Sequence, residues 1–154
     1  MKKFILLFLS LFITLPVFSA SWVQIGEKTY LDIDSLTTYI DEYDSIKTNQ
    51  KIYWLKELND GSEYFKKIEK EYNSKIWYTM TQRLVNTNKK TSSVKTIIYY
   101  DLKGNVVSSY TFPDYLLKWD SIVPNTYGEF LYDVVTHEND LRKLYEYQND
   151  LKNK

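Results

Sequence analysis

The sequence predicts an α+β fold: an antiparallel β-sheet of about five to six strands with a C-terminal helix, or two, packed on it. Between residues 22 and 112, short runs rich in Val, Ile, Tyr and Thr alternate apolar and polar residues, which is typical of strands. After residue 124 the apolar residues recur at helical spacing. Strands first and helices last indicate an α+β rather than an α/β arrangement.

The N-terminus has the three parts of a secretory signal peptide. Lys2 and Lys3 precede an apolar run, Phe4–Phe18, and the small residues Ser19 and Ala20 follow it. A transmembrane anchor is the alternative, but a span needs about 20 apolar residues, and this run is shorter and contains a proline near its end. The sequence therefore predicts a signal peptide over residues 1–20, cleaved after Ala20, with cleavage after Ser19 as the alternative.

The remaining chain, residues 21–154, has the length of one ordinary domain. Loss of Lys2 and Lys3 would leave 18 of the 20 basic residues against 20 acidic residues, so no nucleic-acid partner is expected. No second segment has the apolar length of a membrane anchor. The chain has no cysteine, which argues against disulfides and against a lipid-anchored cysteine. We therefore expect an exported bacterial protein, periplasmic, at the cell surface or secreted.

Short apolar patterns predict the first strands. Trp22–Gly26 opens the domain, with Trp22 and Ile25 as expected core residues. Lys28–Ile33 follows as the second arm of a small hairpin. Asp34–Leu36 then predicts a turn or a single helical turn.

Two later segments have clear strand periodicity. In Lys51–Lys56, Tyr53 and Leu55 share one face of the predicted strand. Ile76–Val85 alternates most regularly. One of its faces is predicted to carry Ile76, Tyr78, Met80, Gln82 and Leu84, and the other Trp77, Thr79, Thr81, Arg83 and Val85.

Polar segments separate these strands. Residues 41–50 predict a loop or a frayed strand, and Asn59–Ser62 has the composition of a turn. Glu63–Ser74 leaves two alternatives open. Its apolar residues fall at helical spacing and its charges could form i,i+4 pairs, which favours a short helix, but a charged hairpin arm fits as well.

A hairpin is predicted near the centre of the chain. Its arms are Ser93–Asp101 and Val106–Phe112, and Gly104 and Asn105 suit the reversal between them because both tolerate positive φ. Pro113 ends the second arm, since proline cannot continue a central ladder.

The C-terminal part is predicted to be helical, as two helices or one long bent helix. Trp119 and Ile122 are expected to anchor the preceding loop, and Thr126 with Glu129 forms a capping box. The predicted apolar stripe comprises Phe130, Leu131, Val134, Val135, Leu141, Leu144, Tyr145, Gln148 and Leu151, with a second helix start at Asn139 and Asp140 and a helical tail at about 138–154.

Several short motifs follow one another along the chain: Trp22-x-x-Ile25-Gly26, Tyr30-Leu31-Asp32-x-x-Ser35-Leu36, Tyr53-Trp54, Tyr100-Asp101-x-x-Gly104-x-Val106, and Trp119-x-x-Ile122-x-Pro124-x-Thr126-x-x-Glu129-x-Leu131. In this order they resemble the surface-adhesin protein E family of exported bacterial domains, from residue 22 to about 135. The resemblance implies an antiparallel sheet with a packed helix, the option of a homodimer, and binding of host extracellular-matrix and plasma proteins, as in the best-known member. It transfers no binding residue to this chain.

The chain departs from that family in its cysteines. Many members have one cysteine in the central strand and another near the end of the domain, whereas the neighbourhoods of Thr81 and Thr136 have none here. The charged segment 63–74 and the tail 138–154 also have no counterpart in the resemblance. The fold is therefore a firmer implication than the adhesive activity.

No catalytic, cofactor-binding or metal-binding residues are predicted. His137 is the lone histidine, and neighbouring acids on a helix cannot orient it for a Ser-His-Asp site, so a surface or capping role is expected. Asp32–Asp34 and Asp41–Asp44 lack a calcium-loop pattern and are typical of solvated turns. A pair of carboxylates suited to glycoside hydrolysis stays open, since sequence does not show their separation.

The functional hypothesis is an exported, non-enzymatic, adhesin-like domain that binds host matrix or envelope proteins. A periplasmic accessory or structural protein without a host ligand is the alternative, and a small hydrolase is disfavoured. The four tryptophans suit either core positions or a groove, and the charged segment 63–74 suits a solvated face or a partner contact.

Overall fold

The structure, a computed structural model, describes residues 20–152, so the predicted signal peptide lies outside it except for Ala20. It confirms the α+β class. The strands are β1 (Trp22–Gln24), β2 (Thr29–Ile40), β3 (Ile46–Leu58), β4 (Ile76–Asn86), β5 (Thr91–Asp101), β6 (Val106–Thr111) and β7 (Asp120–Ser121); the helices are α1 (Glu63–Tyr72), α2 (Tyr127–Thr136) and α3 (Glu138–Lys152). Strands β1 to β6 are neighbours in chain order, all pairs are antiparallel, and β7 extends the sheet beside β5.

The predicted central hairpin is confirmed as β5 and β6. Gly104 has φ +80°, which glycine adopts without steric cost. The Asp101 carboxylate accepts the backbone N–H groups of Lys103 and Asn105, each at 2.8 Å. This aspartate therefore closes the turn that the sequence predicts from glycine and asparagine alone.

Helices α1 and α2 and the first part of α3 pack on one face of the sheet, termed the helix face, and the end of α3 lies at the β1 edge. The larger apolar cluster of the helix face joins strands β1 to β4 to helices α2 and α3 through Val23, Leu31, Ile33, Leu36, Tyr53, Leu55, Val85, Leu131, Val135 and Leu141. Tyr53 and Leu55 share this face, as predicted from the alternation of β3. The opposite face of the sheet is termed the open face.

Helix α1 settles the alternatives left open for residues 63–74 in favour of a helix. Phe65 and Ile68, three residues apart, face the sheet and form a second apolar cluster with Ile76. The helix ends at Asn73, which has φ 47° and whose N–H donates to the carbonyl of Glu69. Packing of this apolar pair on the sheet, rather than helix propensity, decides the conformation.

The N-cap predicted at Thr126 is confirmed, but the reciprocal bond of the predicted capping box is shifted by one residue, because Glu129 reaches the N–H of Asn125 rather than that of Thr126. Thr126 Oγ1 accepts the N–H of Glu129 at 3.4 Å, and Glu129 Oε2 accepts the N–H of Asn125 at 2.8 Å. The C-terminal region forms two helices rather than one. His137 separates them, because its own N–H caps α2 through the carbonyl of Asp133.

Three predictions about β1 to β4 are wrong. Asp34–Leu36 is not a turn or a helix, because strand β2 continues through it. The pairing of β2 with β3 is irregular between Asp32 and Thr37, and there Ser35 Oγ accepts the N–H of Trp54. Trp22 is not in the core, since its strand places Val23 on the helix face. In β4, a bulge between Ile76 and Tyr78 exchanges the expected faces of Ile76 and Trp77.

One end of the sheet is closed by Asp114, in the turn after β6. Its carboxylate accepts hydrogen bonds from the Tyr39 hydroxyl and the Lys95 ammonium, and from the backbone N–H of Glu42 at 2.9 Å. Strands β3 and β4 lie between the strands that carry Tyr39 and Lys95. The connection after β6 therefore reaches across the sheet to fasten the β2–β3 hairpin.

None of the helices within residues 20–152 combines the length and apolar character that a membrane crossing requires.

Candidate functional site

An aromatic groove lies on the open face, between the sheet and the C-terminal end of α3. It encloses about 660 Å³, within the range of ligand-binding pockets, about 300–1,000 Å³. Its lining residues are Trp22, Gln24, Tyr30, Lys56, Leu58, Trp77, Gln148, Leu151 and Lys152. The groove thus combines three aromatic rings and two leucines with two lysines, and no carboxylate of residues 20–152 lines it.

Strand register brings these residues together. Gln24 of β1 pairs with Tyr30 of β2, which pairs with Lys56 of β3, so the three share the open face. Trp77 joins them only because of the β4 bulge. Without that bulge its ring would point to the helix face, as the regular alternation predicts.

Lys56 lies near the centre of the groove. Its ammonium is 4.5 Å from the ring centroid of Tyr78 and 5.8 Å from that of Trp77, which is the geometry of cation–π contacts. In the part of the chain that the structure describes, no carboxylate oxygen lies within 4.0 Å of this ammonium. The side chain is half-buried, so its charge is held by aromatic rings rather than by an acid.

Helix α3 provides one wall of the groove and is attached to the sheet edge. The side-chain amide of Gln148 accepts the N–H of Gln24 at 3.0 Å and donates to the carbonyl of Gln24 at 2.9 Å. The Gln148 side chain thereby pairs with both the backbone N–H and the backbone carbonyl of Gln24 that point away from the sheet. The groove wall is therefore positioned by backbone hydrogen bonds as well as by apolar packing.

The open face continues beyond the groove as an aromatic surface. Tyr78 stacks on Tyr100 of β5 with ring centroids 4.5 Å apart, and Trp77 meets Tyr78 edge-on at 5.3 Å. Burial raises the pKa of the Tyr78 hydroxyl, and Tyr100 adds to the effect. The rings hold one another in place, which presents a preformed apolar surface.

A polar belt on the helix face separates the two apolar clusters. It is formed by paired residues of neighbouring strands, Thr29, Glu57, Thr79 and Tyr99. The Tyr127 hydroxyl of α2 donates to Glu57 Oε1 at 3.0 Å, and burial raises the pKa of this hydroxyl. The belt ties α2 to the sheet by hydrogen bonds, so we assign it to stability.

Two buried hydroxyls near this belt have no hydrogen-bond partner. Thr79 is 1% exposed and Thr81 is 6% exposed, and both Oγ1 atoms are unpaired within the described residues. Burial without a partner costs free energy.

The residues considered for chemistry lie apart from the groove. His137 is exposed and its Nδ1 is 2.8 Å from the carbonyl of Asp133, which fits the expected capping role. Asp32 belongs to strand β2 rather than to a turn, and Asp41 accepts the N–H groups of Tyr43 and Ser45 in the β2–β3 turn. Residues 20–152 contain no group of three or more His, Cys, Asp or Glu side chains placed to hold a metal.

The sequence did not identify the groove. A groove is one of two alternatives that the sequence leaves open for the four tryptophans, but Trp22 is expected in the core and Trp77 on the other face of β4, so the pattern does not place them together. Lys56 was part of a predicted strand without a role. The available signal is the concentration of tryptophan and tyrosine on strands β1 to β4.

The crystal structure of protein E from non-typeable Haemophilus influenzae matches with a TM-score of 0.52 over 86% of this chain and 90% of that chain. The chain has a protein E-like fold. Sequence identity over the match is 11%, so the likeness extends to the fold and does not establish the family.

No protein-family model matches the sequence, and no curated protein matches it significantly. The protein E-like fold agrees with the architecture implied by the motif resemblance. Membership of the surface-adhesin protein E family remains a hypothesis.

Proposed function

We propose that this protein is an exported, non-enzymatic binding domain that holds another protein in the aromatic groove. The observation that carries the proposal is the groove itself: Trp22, Tyr30 and Trp77 line it together with Lys56, whose ammonium contacts the Trp77 ring and has no acidic partner among the described residues. Aromatic side chains that are partly exposed in a concave site are the residues that dominate protein interfaces. Trp77 is 46% exposed although most large side chains of the central strands are covered.

The composition of the groove favours binding over catalysis. Proton transfer or nucleophilic attack needs an acid, a base or a nucleophile that converges on one point. The groove has two lysines and a tyrosine as its ionisable groups, with no carboxylate and no histidine. This is why the hydrolase hypothesis is the weakest of the three.

Adhesion to host matrix proteins is the specific form of the proposal that the motif resemblance supports. An envelope protein is the alternative partner, which would make the domain a periplasmic accessory. Cell fractionation separates the two: surface exposure supports adhesion, and retention in the periplasm supports the accessory role. The predicted signal peptide is required by both.

The test is binding to a panel of purified matrix and envelope proteins, measured by surface plasmon resonance. We expect a saturable partner, and Trp77→Ala to weaken its binding at least about tenfold, as removal of a central aromatic anchor does. Tyr43→Ala is the matched control, because Tyr43 is 77% exposed and lies outside the groove. Equal loss in both variants, or in neither, would refute the groove as the contact site.

A further inference from the structure

We infer that the partner is a protein segment that presents a carboxylate to Lys56 beside an apolar side chain that packs on Trp77. The inference rests on the proposed function and specifies its ligand. Three observations support it: the positive charge of the groove, the contact of Lys56 with aromatic rings, and the hydrogen bonds that Gln24 and Gln148 already make.

The charge of the groove is positive and unbalanced. Lys56 and Lys152 line it, with no aspartate or glutamate. Asp32 is on the same face of β2, but its carboxylate accepts the N–H groups of Ser21 at 3.1 Å and Asp34 at 3.2 Å. A partner that brings an acid is therefore complementary in charge to the groove.

Lys56 would be costly to cover without such an acid. The residue is half-buried and its ammonium lies 5.8 Å from the Trp77 ring centroid, so a partner that packs on Trp77 removes water from that ammonium. A desolvated charge needs a paired charge or hydrogen-bond acceptors to offset the loss of hydration. A carboxylate provides both at once.

The groove suits a protein segment better than an acidic glycan. Sugar hydroxyls need several free polar side chains, but both amides of the groove are engaged. Gln148 bonds the backbone of Gln24, and the Gln24 side chain donates to the carbonyls of Gly26 and Glu27, each at 3.1 Å. Leu58 and Leu151 add aliphatic surface, which matches leucine, valine or aromatic side chains of a partner.

The experiment selects peptides from a phage-displayed random library on the protein expressed from its full sequence. We expect enriched peptides to carry Asp or Glu within a few positions of an aromatic or aliphatic residue. A synthetic consensus peptide is then titrated by calorimetry. We expect Lys56→Gln to weaken binding about tenfold, amidation of the peptide acid to do the same, and the two changes together to add little to either one.

Two variants serve as controls. Lys56→Arg keeps the charge and should retain binding within a few-fold, which excludes misfolding as the cause of the loss. Lys143→Gln removes an exposed lysine of α3 outside the groove and should leave the affinity unchanged.

The outcomes separate this inference from the proposed function. If Trp77→Ala abolishes peptide binding but Lys56→Gln does not alter it, the groove binds proteins and the carboxylate inference is wrong. If no peptide is enriched, or Trp77→Ala binds as well as wild type, both are wrong. A third result would be that heparin fragments bind more tightly than any peptide and lose that binding in Lys56→Gln. That result would contradict the protein segment and identify an acidic glycan as the ligand.

Discussion

The helix face and the open face of the sheet are both rich in aromatic residues but hold them differently. On the helix face, hydroxyls bond to the structure: Tyr127 donates to Glu57 and Tyr132 to the carbonyl of Thr87, each at 3.0 Å. Ring–ring and lysine–ring contacts occur on both faces: Tyr72–Tyr99 and Lys90–Tyr132 on the helix face, and Tyr78–Tyr100 and Lys56–Tyr78 on the open face. The hydroxyl bonds of the helix face fix helices on the sheet, whereas the Tyr78–Tyr100 stack of the open face joins two strands of the sheet.

The difference indicates that stability and binding are located on opposite faces. A tyrosine whose hydroxyl is bonded to a neighbouring element, as that of Tyr127 is to Glu57, contributes to folding. A ring held by other rings keeps one side available at low entropic cost. Substitutions on the two faces should therefore affect different measurements.

The largest expected effect is on the helix face. Leu131→Ala should lower the free energy of unfolding by about 2–5 kcal/mol, because Leu131 is 2% exposed and lies in the main apolar cluster. Leu151→Ala, in the groove and 54% exposed, should lower it by less than about 1 kcal/mol. Urea unfolding measures both; similar losses would remove the distinction between the faces.

Two buried threonines, one on each face of the sheet, allow the contribution of a single hydroxyl to stability to be compared. The hydroxyl of Thr81, on the helix face, has no hydrogen-bond partner in the described part of the chain, whereas that of Thr96, on the open face and 7% exposed, is 3.1 Å from Thr111 Oγ1. Thr96→Val should destabilise the protein by about 1 kcal/mol, and Thr81→Val should be neutral or stabilising. Thermal and urea unfolding provide the check, and an equal loss in Thr81→Val would mean that its hydroxyl is bonded in solution.

A smaller, pH-dependent effect is expected at Asp114, where charge rather than apolar burial holds the end of the sheet. Burial alone would raise the pKa of this carboxyl, but hydrogen bonds from Lys95, Tyr39 and the amide of Glu42 outweigh it and lower the pKa below the ordinary 3.8. A lowered pKa stabilises the folded state above the unfolded pKa, and the gain is lost as pH falls through the folded value.

The stability difference between wild type and Asp114→Asn should therefore be constant near neutral pH and shrink below about pH 4. Urea titrations at several pH values measure it. Asp150→Asn, at the exposed end of α3, is the control and should show no such trend. A difference that does not vary with pH would contradict the role of the ionised carboxylate.

The smallest effect on stability is expected for Trp77→Ala, the variant expected to weaken partner binding most. Trp77→Ala should change the free energy of unfolding by less than about 1 kcal/mol, because the ring is partly exposed and its structural contacts are with Tyr78 and Lys56. Calorimetry of the free protein checks this against the loss of partner binding. A decrease in the free energy of unfolding as large as that in Leu131→Ala would mean that Trp77 stabilises the fold.

Local chemistry made much of the fold predictable. The turn at Gly104, the N-cap of α2 at Thr126, and the alternation of Tyr53 and Leu55 all depend on residues within a few positions of one another. The helical conformation of residues 63–72 was left open, because it depends on packing of Phe65 and Ile68 on the sheet.

The groove was not predictable, because its parts come from β1, β2, β3, β4 and α3. Only strand register places Tyr30 beside Lys56, and only a bulge turns Trp77 toward them. A bulge shifts every following side chain to the other face, yet periodicity assumes that none occurs.

The sequence by itself determined the α+β class, the central hairpin and the start of the C-terminal helices, since these follow from period and from turn and cap residues. Tertiary structure decided which face each tryptophan occupies, that α1 is a helix, and that a lysine without an acid lies among aromatic rings. Those features depend on contacts between segments far apart in the chain, and no local pattern of residues specifies them.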